Sequence, residues 1–473
     1  MDMYVGGRWQ GGSRWMDVVA PYSGVTIDRV PVATPEQVEE ALATAERGAA
    51  VMRNLGGAAR ADILRRAADL LDGDVDRIGR TISLETGKPI GEARGEAGRL
   101  GEMFRLSSFE GTQIRGETLP LDAQAGAEGK FGFTLRIPTG IVVAITPFNY
   151  PGLLVVHKIG PALAAGNAVI LKPASQAPLT ALIITEKLEE AGLPESALQT
   201  ITGGGAAVGM TLVADPRVRK VSFTGSTSVG EEITRVAGVK RLSLELGANC
   251  PMIVMPDADV QLAADASAAG GYVNAGQVCI SLQRVIVHDD VYDDYLDALR
   301  GPVEAFRMGD PLLDDTRIGA MISEKEAVRV AGWIDEAVAA GARVVIGGER
   351  DGARLSPTVV ADVAPDMKLS QQEVFGPTLS VTRAGTIDEA IALANDSSYG
   401  LGAGIFTKDV TNALRFAREV DAGAIHINWT PLWRADLMPY GGLKGSGIGK
   451  EGIRYAVEEM TELKTVVIHG LDG

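Results

Sequence analysis

Between residues 36 and 110, apolar side chains recur at helical spacing between charged ones, as in Val38-Glu39-Glu40-Ala41-Leu42 and Ile63-Leu64-Arg65-Arg66-Ala67-Ala68, which predicts a helical N-terminal section. From residue 141 the texture changes. Short apolar runs at 141–146, 168–171, 198–202, 220–223 and 242–244 read as strands with helices between them, and that alternation implies a parallel, doubly wound sheet. A second α/β stretch begins near Pro251, with a strand at 252–255, an Ala-rich helix from Val260 to about Ala275, and a strand at 285–288. Residues 116–136 interrupt the first section as a candidate hairpin. The terminal segment 464–469 alternates like an edge strand and is a natural partner for it. Residues 439–447 are too Gly-rich for regular structure.

Composition narrows the functional class. At 473 residues, 46% hydrophobic and 22% charged, the chain is globular and too long for a single core. A formal charge of −16 and a pI near 4.9 oppose binding to a phosphate backbone, so no nucleic-acid partner is expected. The first residues, MDMYVGGRWQ, lack the basic and apolar regions of a secretory leader, and the longest apolar run, 140–147, is far short of the ~20 residues that span a bilayer. The expectation is a cytoplasmic protein without a membrane partner. Two cysteines, Cys250 and Cys279, allow at most one disulfide, and no CxxC or Cys/His cluster offers a metal site.

The chemistry-bearing candidates are few. Cys279 follows Asn274-Ala275-Gly276-Gln277-Val278, and Glu245 lies in Leu244-Glu245-Leu246-Gly247. A thiol nucleophile and a separate carboxylate can make a thioester and then hydrolyse it. Viewed alone, a thiol in such a place is more often a small packed hydrophobe, and Cys250 reads as structural. Glu245 ends an apolar run before a glycine, which places it at the carboxyl edge of a sheet as a general base or as a solvated strand-end residue. Asn149, between Pro147 and Pro151, presents its amide in a fixed direction and is either an oxyanion donor or a turn former. Lys172-Pro173-Ala174-Ser175 closes one strand. Phe223-Thr224-Gly225-Ser226 closes another and opens a helix, where backbone N–H groups can meet a pyrophosphate, although the segment is not the GxGxxG fingerprint.

Taken together and in this order, the segments at 147–151, 172–175, 223–230, 244–247, 274–279, Glu373-Val374-Phe375-Gly376-Pro377, Asn395-Asp396-Ser397-Ser398-Tyr399-Gly400-Leu401 and 439–447 resemble signatures of the aldehyde dehydrogenase superfamily, over essentially the whole chain. The resemblance implies an aldehyde dehydrogenase-like α/β fold: a doubly wound cofactor domain (1–115 and 138–246), a catalytic domain (247–438), an oligomerisation arm with a C-terminal strand (116–137 and 455–473) and an anchor loop (439–454). It implies a homodimer or homotetramer. By position, Cys279 would attack the aldehyde, Asn149 would hold the oxyanion, Glu245 would activate water, and Glu451 would be a second carboxylate in a proton relay. Thr146, Pro147, Lys172, Ser175, Gly205, Gly209, Phe223, Gly225, Ser226, Leu246, Glu373 and Phe375 would meet NAD or NADP.

The chain departs from the family pattern twice. Ser175 stands where many NAD-preferring members have Glu, which points to NADP as the preferred cofactor, because a carboxylate there would repel a 2′-phosphate. Gly247-Ala248 replaces the more usual Gly-Gly. Around Cys279 and residues 434–439 the signature resembles most the branch of lactaldehyde, non-phosphorylating glyceraldehyde-3-phosphate and phosphonoacetaldehyde dehydrogenases. That implies a small polar or anionic aldehyde, with Tyr150, His157, Arg105, Arg284, Trp429 and Arg434 as candidate substrate residues and Trp433 beside them. The tryptophans keep an aromatic aldehyde open. Two further readings compete with these: a coenzyme A-acylating enzyme, which does not need Glu245, and a non-catalytic binding protein on the same fold.

Overall fold

The structure, a computed structural model, describes residues 1–470; residues 471–473 of the expected C-terminal strand region lie outside the described residues. Five parallel strands run in the spatial order Leu198–Thr200, Ala168–Lys172, Ile141–Ile145, Val218–Thr224, Arg241–Glu245. Ile141–Ile145 and Ala168–Lys172 are buried at every position, as strands covered by helices on both faces must be. A hairpin of Met3–Val5 and Arg8–Gln10 extends one edge, and Gly447–Ile448 joins the other edge antiparallel. The hairpin is too short and too mixed in polarity to show a period, so no sequence pattern announces it.

The helical N-terminal section resolves into Pro35–Asn54, Gly57–Asp72, Val75–Thr86, Ile90–Ala97 and Leu100–Thr112. The last four supply one side of the first sheet's core, where Leu64, Ile82 and Phe104 cluster with Val155 and Ile159 of the helix Leu153–Ala164, while Val38, Ala41 and Leu42 of Pro35–Asn54 pack on the other side with Ile141 and Val143.

A second sheet of seven strands is parallel through Thr358–Ala361, Thr378–Ala384, Arg284–His288, Pro251–Val254, Gly402–Phe406 and Ala424–Ile427, with Arg343–Ile346 antiparallel at its edge. The Ala-rich helix ends at Tyr272, short of the Ala275 expected, because the next residues turn left-handed. Thr118–Leu119 pairs with Phe131–Pro138, which pairs along its whole length with Thr461–Ile468, so the hairpin and the terminal strand form one separate three-stranded sheet. Among the described residues no helix is long and apolar enough to cross a membrane.

Candidate active site

Strand order in the first sheet reverses between Ile141–Ile145 and Val218–Thr224, and in doubly wound sheets ligands bind in the crevice outside the carboxyl ends at such a point. The segments that leave these two strands carry Asn149 and Gly225-Ser226, and Glu245 ends the adjacent strand. A cleft of about 320 Å³ there is walled by Thr146, Lys172, Gly205, Gly209 and Phe223, among others. Adjoining it, a cleft of about 440 Å³ is walled by Pro147, Asn149, Leu246, Cys279, Glu373 and Phe375, with Gly225 and Ser226 shared by the two.

These walls fit a dinucleotide. Ser226 is the N-cap of the helix Thr227–Val236, so uncommitted backbone N–H groups open onto the cleft. A Cβ on Gly205 would meet nothing within 4 Å, whereas one on Gly225 would lie 2.5 Å from the Phe223 ring. The Thr146 and Thr224 hydroxyls are buried at the cleft without a hydrogen-bond partner among the described residues, which leaves polar atoms for a ligand to satisfy. Burial lowers the Lys172 ammonium to about 8. Burial also raises the Glu373 carboxyl to about 7, against the N–H of Ala248 that it accepts at 3.0 Å. Phe148 meets Phe375 edge to face at 6.0 Å. Ser175 is the exception among the expected cofactor residues. Its hydroxyl donates to the Gly203 carbonyl at 2.9 Å, and the neighbouring Gln176 takes the place on the wall of both clefts.

The thiol reaches this crevice through an unusual turn. Asn274 (φ 51°), Ala275 (φ 54°) and Gly276 (φ 70°) are all left-handed. At Gly276 a Cβ would lie 2.1 Å from the Gly376 carbonyl oxygen, so only glycine fits. The other two conformations cost on the order of 1–3 kcal/mol each and must be held by their surroundings. Glu92 accepts the Asn274 N–H at 2.9 Å, and the Asn274 amide donates to the Asn149 carbonyl at 3.1 Å. The Asn149 amide in turn donates to the Gln277 carbonyl at 2.9 Å. Asn149 and the cysteine loop are therefore one hydrogen-bonded unit.

Cys279 Sγ lies 2.9 Å from the Tyr440 hydroxyl. Burial raises the thiol to about 11; the Tyr440 bond opposes this, and the carboxylates of Glu245 and Glu373 add to it. Cys250 is buried, as expected of a structural thiol, and its S–H points at the Cys279 carbonyl at 3.6 Å. Burial pushes the Glu245 carboxyl well above the usual range, and the charge of Glu451 pushes it further. Burial acts on Glu451 in the same direction but is outweighed by Lys158 at 2.7 Å and Arg434 at 3.7 Å, which hold it down near 2. The neighbours of the two carboxyls thus divide them, favouring the protonated form of Glu245 and the ionised form of Glu451. Lys158 had no signal in the sequence, because a largely apolar helix gives no hint that its lysine is fully buried.

On the other side of Cys279 a cavity of about 130 Å³ is walled by Asn149, Tyr150, His157, Glu245, Arg434 and Glu451, with Arg99 and apolar residues such as Leu153 and Ile280. Three expected substrate residues are not part of it. Arg105 is paired with Asp69 at 2.7 Å and Asp72 at 2.6 Å on the surface. Arg284 is buried and spends its guanidinium on the carbonyls of Asn249, Leu393 and Ala394, which braces the second sheet. Trp429 is partly exposed outside the cavity, and Trp433 is exposed with its ring against His426. His157 does stand in the cavity wall. Burial and the nearby Arg434 lower it, so it is neutral near pH 7, at 3.4 Å from Asp436. Arg99, which sequence reasoning does not single out, enters the wall held by Asp436 at 2.6 Å, 337 residues away in the chain.

A thiol, an amide and two carboxyls gathered beside dinucleotide-sized clefts at the switch point of a doubly wound sheet follow the plan of a nucleotide-binding α/β enzyme. The chain belongs to the aldehyde dehydrogenase family, whose model matches residues 9–466, and its activity is that of an aldehyde dehydrogenase. It is 44% identical over 467 residues to a 3-sulfolactaldehyde dehydrogenase of Priestia megaterium, covering 99% of this chain and 98% of the relative. It is 39% identical over 473 residues to a lactaldehyde dehydrogenase of Methanococcus maripaludis, covering 99% of this chain and 100% of the relative. Among solved structures, the NADP complex of an NADP-dependent glyceraldehyde-3-phosphate dehydrogenase from Bacillus halodurans superposes with a TM-score of 0.97 at 37% identity, covering 99% of each chain.

Proposed function

We propose that this enzyme oxidises a small polar or anionic aldehyde to its carboxylic acid through a covalent intermediate on Cys279. The observation that carries the substrate reading is Arg434 in the cavity wall: its Nε and one terminal nitrogen are buried with no hydrogen-bond partner among the described residues. Arg99 stands in the same wall. Two guanidinium groups in a small cavity suit a hydroxylated three-carbon aldehyde ending in a sulfonate, phosphate or phosphonate. The 3-sulfolactaldehyde and lactaldehyde relatives support the same class. The tryptophans that kept an aromatic substrate open lie outside the cavity.

A bound nicotinamide dinucleotide supplies the oxidant, in the two clefts beside Asn149. Within the protein, Cys279 sulfur bonds to the aldehyde carbon while the carbonyl oxygen takes up charge, and the Asn149 amide donates to it. Oxidation at that carbon leaves a thioester. Glu245 then takes a proton from water, the water oxygen attacks the thioester carbon, and the C–S bond breaks to release the acid and the thiolate. Glu245 is the reason to prefer hydrolysis over transfer to coenzyme A. NADP is the better cofactor in this reading, because Ser175 brings no carboxylate to that strand end, Gln176 beside it on the wall is uncharged, and Lys172 is the cation on that wall. The NADP complexes of the glyceraldehyde-3-phosphate dehydrogenases are consistent with it. The enzyme works as a cytoplasmic homodimer or homotetramer assembled through the three-stranded arm.

The test is a kinetic panel of 3-sulfolactaldehyde, lactaldehyde, glyceraldehyde 3-phosphate and benzaldehyde with each cofactor. Expected are highest kcat/KM for an anionic aldehyde and for NADP. Benzaldehyde outrunning every polar aldehyde would reject the substrate reading. A preference for NAD above about tenfold would reject the cofactor reading.

A further inference from the structure

The loop 439–447 carries a side chain that the mechanism above does not use. Tyr440 is 5% exposed, and its hydroxyl makes its hydrogen bond with Cys279 Sγ, at 2.9 Å. The phenol is held from several directions. Arg434 lies over the ring at 3.8 Å from its centroid. The Tyr440 backbone exchanges both hydrogen bonds with Glu451, at 3.0 and 2.6 Å. Next in the chain, Gly441 is left-handed, and a Cβ there would lie 2.9 Å from Glu245 Oε1. One short segment therefore seats a phenol on the thiol and leaves room for the carboxylate, with both positions fixed by backbone geometry.

We propose that Tyr440 is a further catalytic residue, whose hydroxyl donates a hydrogen bond to the Cys279 thiolate and makes the attacking form of the thiol more accessible. This rests on the reading of Cys279 as the nucleophile. A hydrogen bond from O–H to S⁻ favours the ionised thiol, which is the reactive form. The donor must itself keep its proton, and burial together with the neighbouring Cys279 holds the Tyr440 phenol well above its usual range. The groups facing the thiol are Tyr440, Glu245, Glu373 and Arg434. Of these the two carboxylates disfavour the thiolate, and Tyr440 is the one in hydrogen-bond contact.

The measurement is the rate at which iodoacetamide alkylates Cys279, followed on the Cys279 peptide by mass spectrometry across pH, in the full-length enzyme. Tyr440→Phe keeps the ring and its contact with Arg434 and removes only the hydroxyl. The expected result is an alkylation profile displaced to higher pH by about one unit, or roughly tenfold slower labelling at pH 7, with kcat/KM displaced alike. Labelling that is unchanged or faster overturns the proposal. Global replacement of the tyrosines by 3-fluorotyrosine, which strengthens each phenol as a donor, leaves the chain otherwise intact and should displace the profile the opposite way. If Tyr440→Phe does not fold, that result decides alone, and no displacement overturns the proposal. Cys279→Ser separates the two readings: a fully active Cys279→Ser enzyme removes the nucleophile itself, whereas an inactive one beside an unmoved Tyr440→Phe profile removes only the role of Tyr440.

Discussion

At the scale of single residues, charge placement makes the site testable through pH. In the proposed mechanism Glu245 acts as a base only when ionised, and burial followed by the Glu451 charge favours its protonated form. Glu451→Gln removes that charge and leaves Lys158 facing the site unpaired, so the Glu245 carboxyl falls. The expected outcome is that the acid limb of kcat, in conditions where thioester hydrolysis limits turnover, moves to lower pH. An unmoved limb would show that the Glu451 charge does not reach Glu245. Lys172 gives a second case with the opposite sign. Burial lowers it to about 8, so its cation is present below that pH and lost above it. The kcat/KM for NADP should fall as pH rises through about 8, while that for NAD falls less, because only NADP brings a 2′-phosphate to the cation. Parallel profiles for the two cofactors would separate Lys172 from the 2′-phosphate.

At the scale of elements, a buried ion pair holds the start of the helix Leu153–Ala164. One Glu96 oxygen accepts the N–H groups of Gly152 and Leu153, at 2.9 and 3.0 Å, and so caps the helix that carries His157 and Lys158. The other oxygen meets Lys88, whose side chain is completely buried with that of Glu96 and lies 3.6 Å from the Tyr150 ring centroid. Lys88→Met would leave the Glu96 charge buried without its cation, a change that costs about 3–5 kcal/mol. Urea unfolding should register that loss, and Lys88→Met/Glu96→Gln should recover part of it. A loss under about 1 kcal/mol would mean that the pair is not stabilising the helix start.

Legibility in the sequence follows the same division. The strands of the first sheet could be read because a short, continuous apolar run bounded by turn residues is what a strand buried on both faces requires, and Cys279, Glu245 and Asn149 do meet at its carboxyl edge. Arg105 and Arg284 could not be sorted from Arg99 and Arg434, because an arginine's partners are decided in three dimensions. Asp436 holds Arg99 from the far end of the chain, while Asp69 and Asp72 claim Arg105. The left-handed turn before Cys279 was largely hidden: Gly276 and, more weakly, Asn274 are residue types that favour φ > 0, but Ala275 between them carries no sign of it.

At the scale of the whole molecule, the three-stranded arm is the part that its own core explains least. Strand pairing puts Phe131, Phe133, Leu135, Val466 and Ile468 on one face, since Leu135 stands opposite Lys464 and Phe131 opposite Ile468. Phe131, Leu135 and Ile468 are each about two-fifths exposed, an apolar surface on a sheet that packs on neither large core. Such a patch is of the kind that association surfaces carry, in a protein whose formal charge of −16 otherwise favours solubility. In the proposed dimer or tetramer, Leu135 is covered by a second copy of the chain. Leu135→Lys should therefore shift the enzyme toward monomer in sedimentation velocity without loss of the secondary structure seen by circular dichroism, because in the monomer the new ammonium simply enters water. Cys279 and Glu245 lie outside the arm, so the monomer should retain cofactor binding. If Leu135→Lys sediments as the wild type does at every concentration down to the nanomolar range, the arm face is not what joins the subunits.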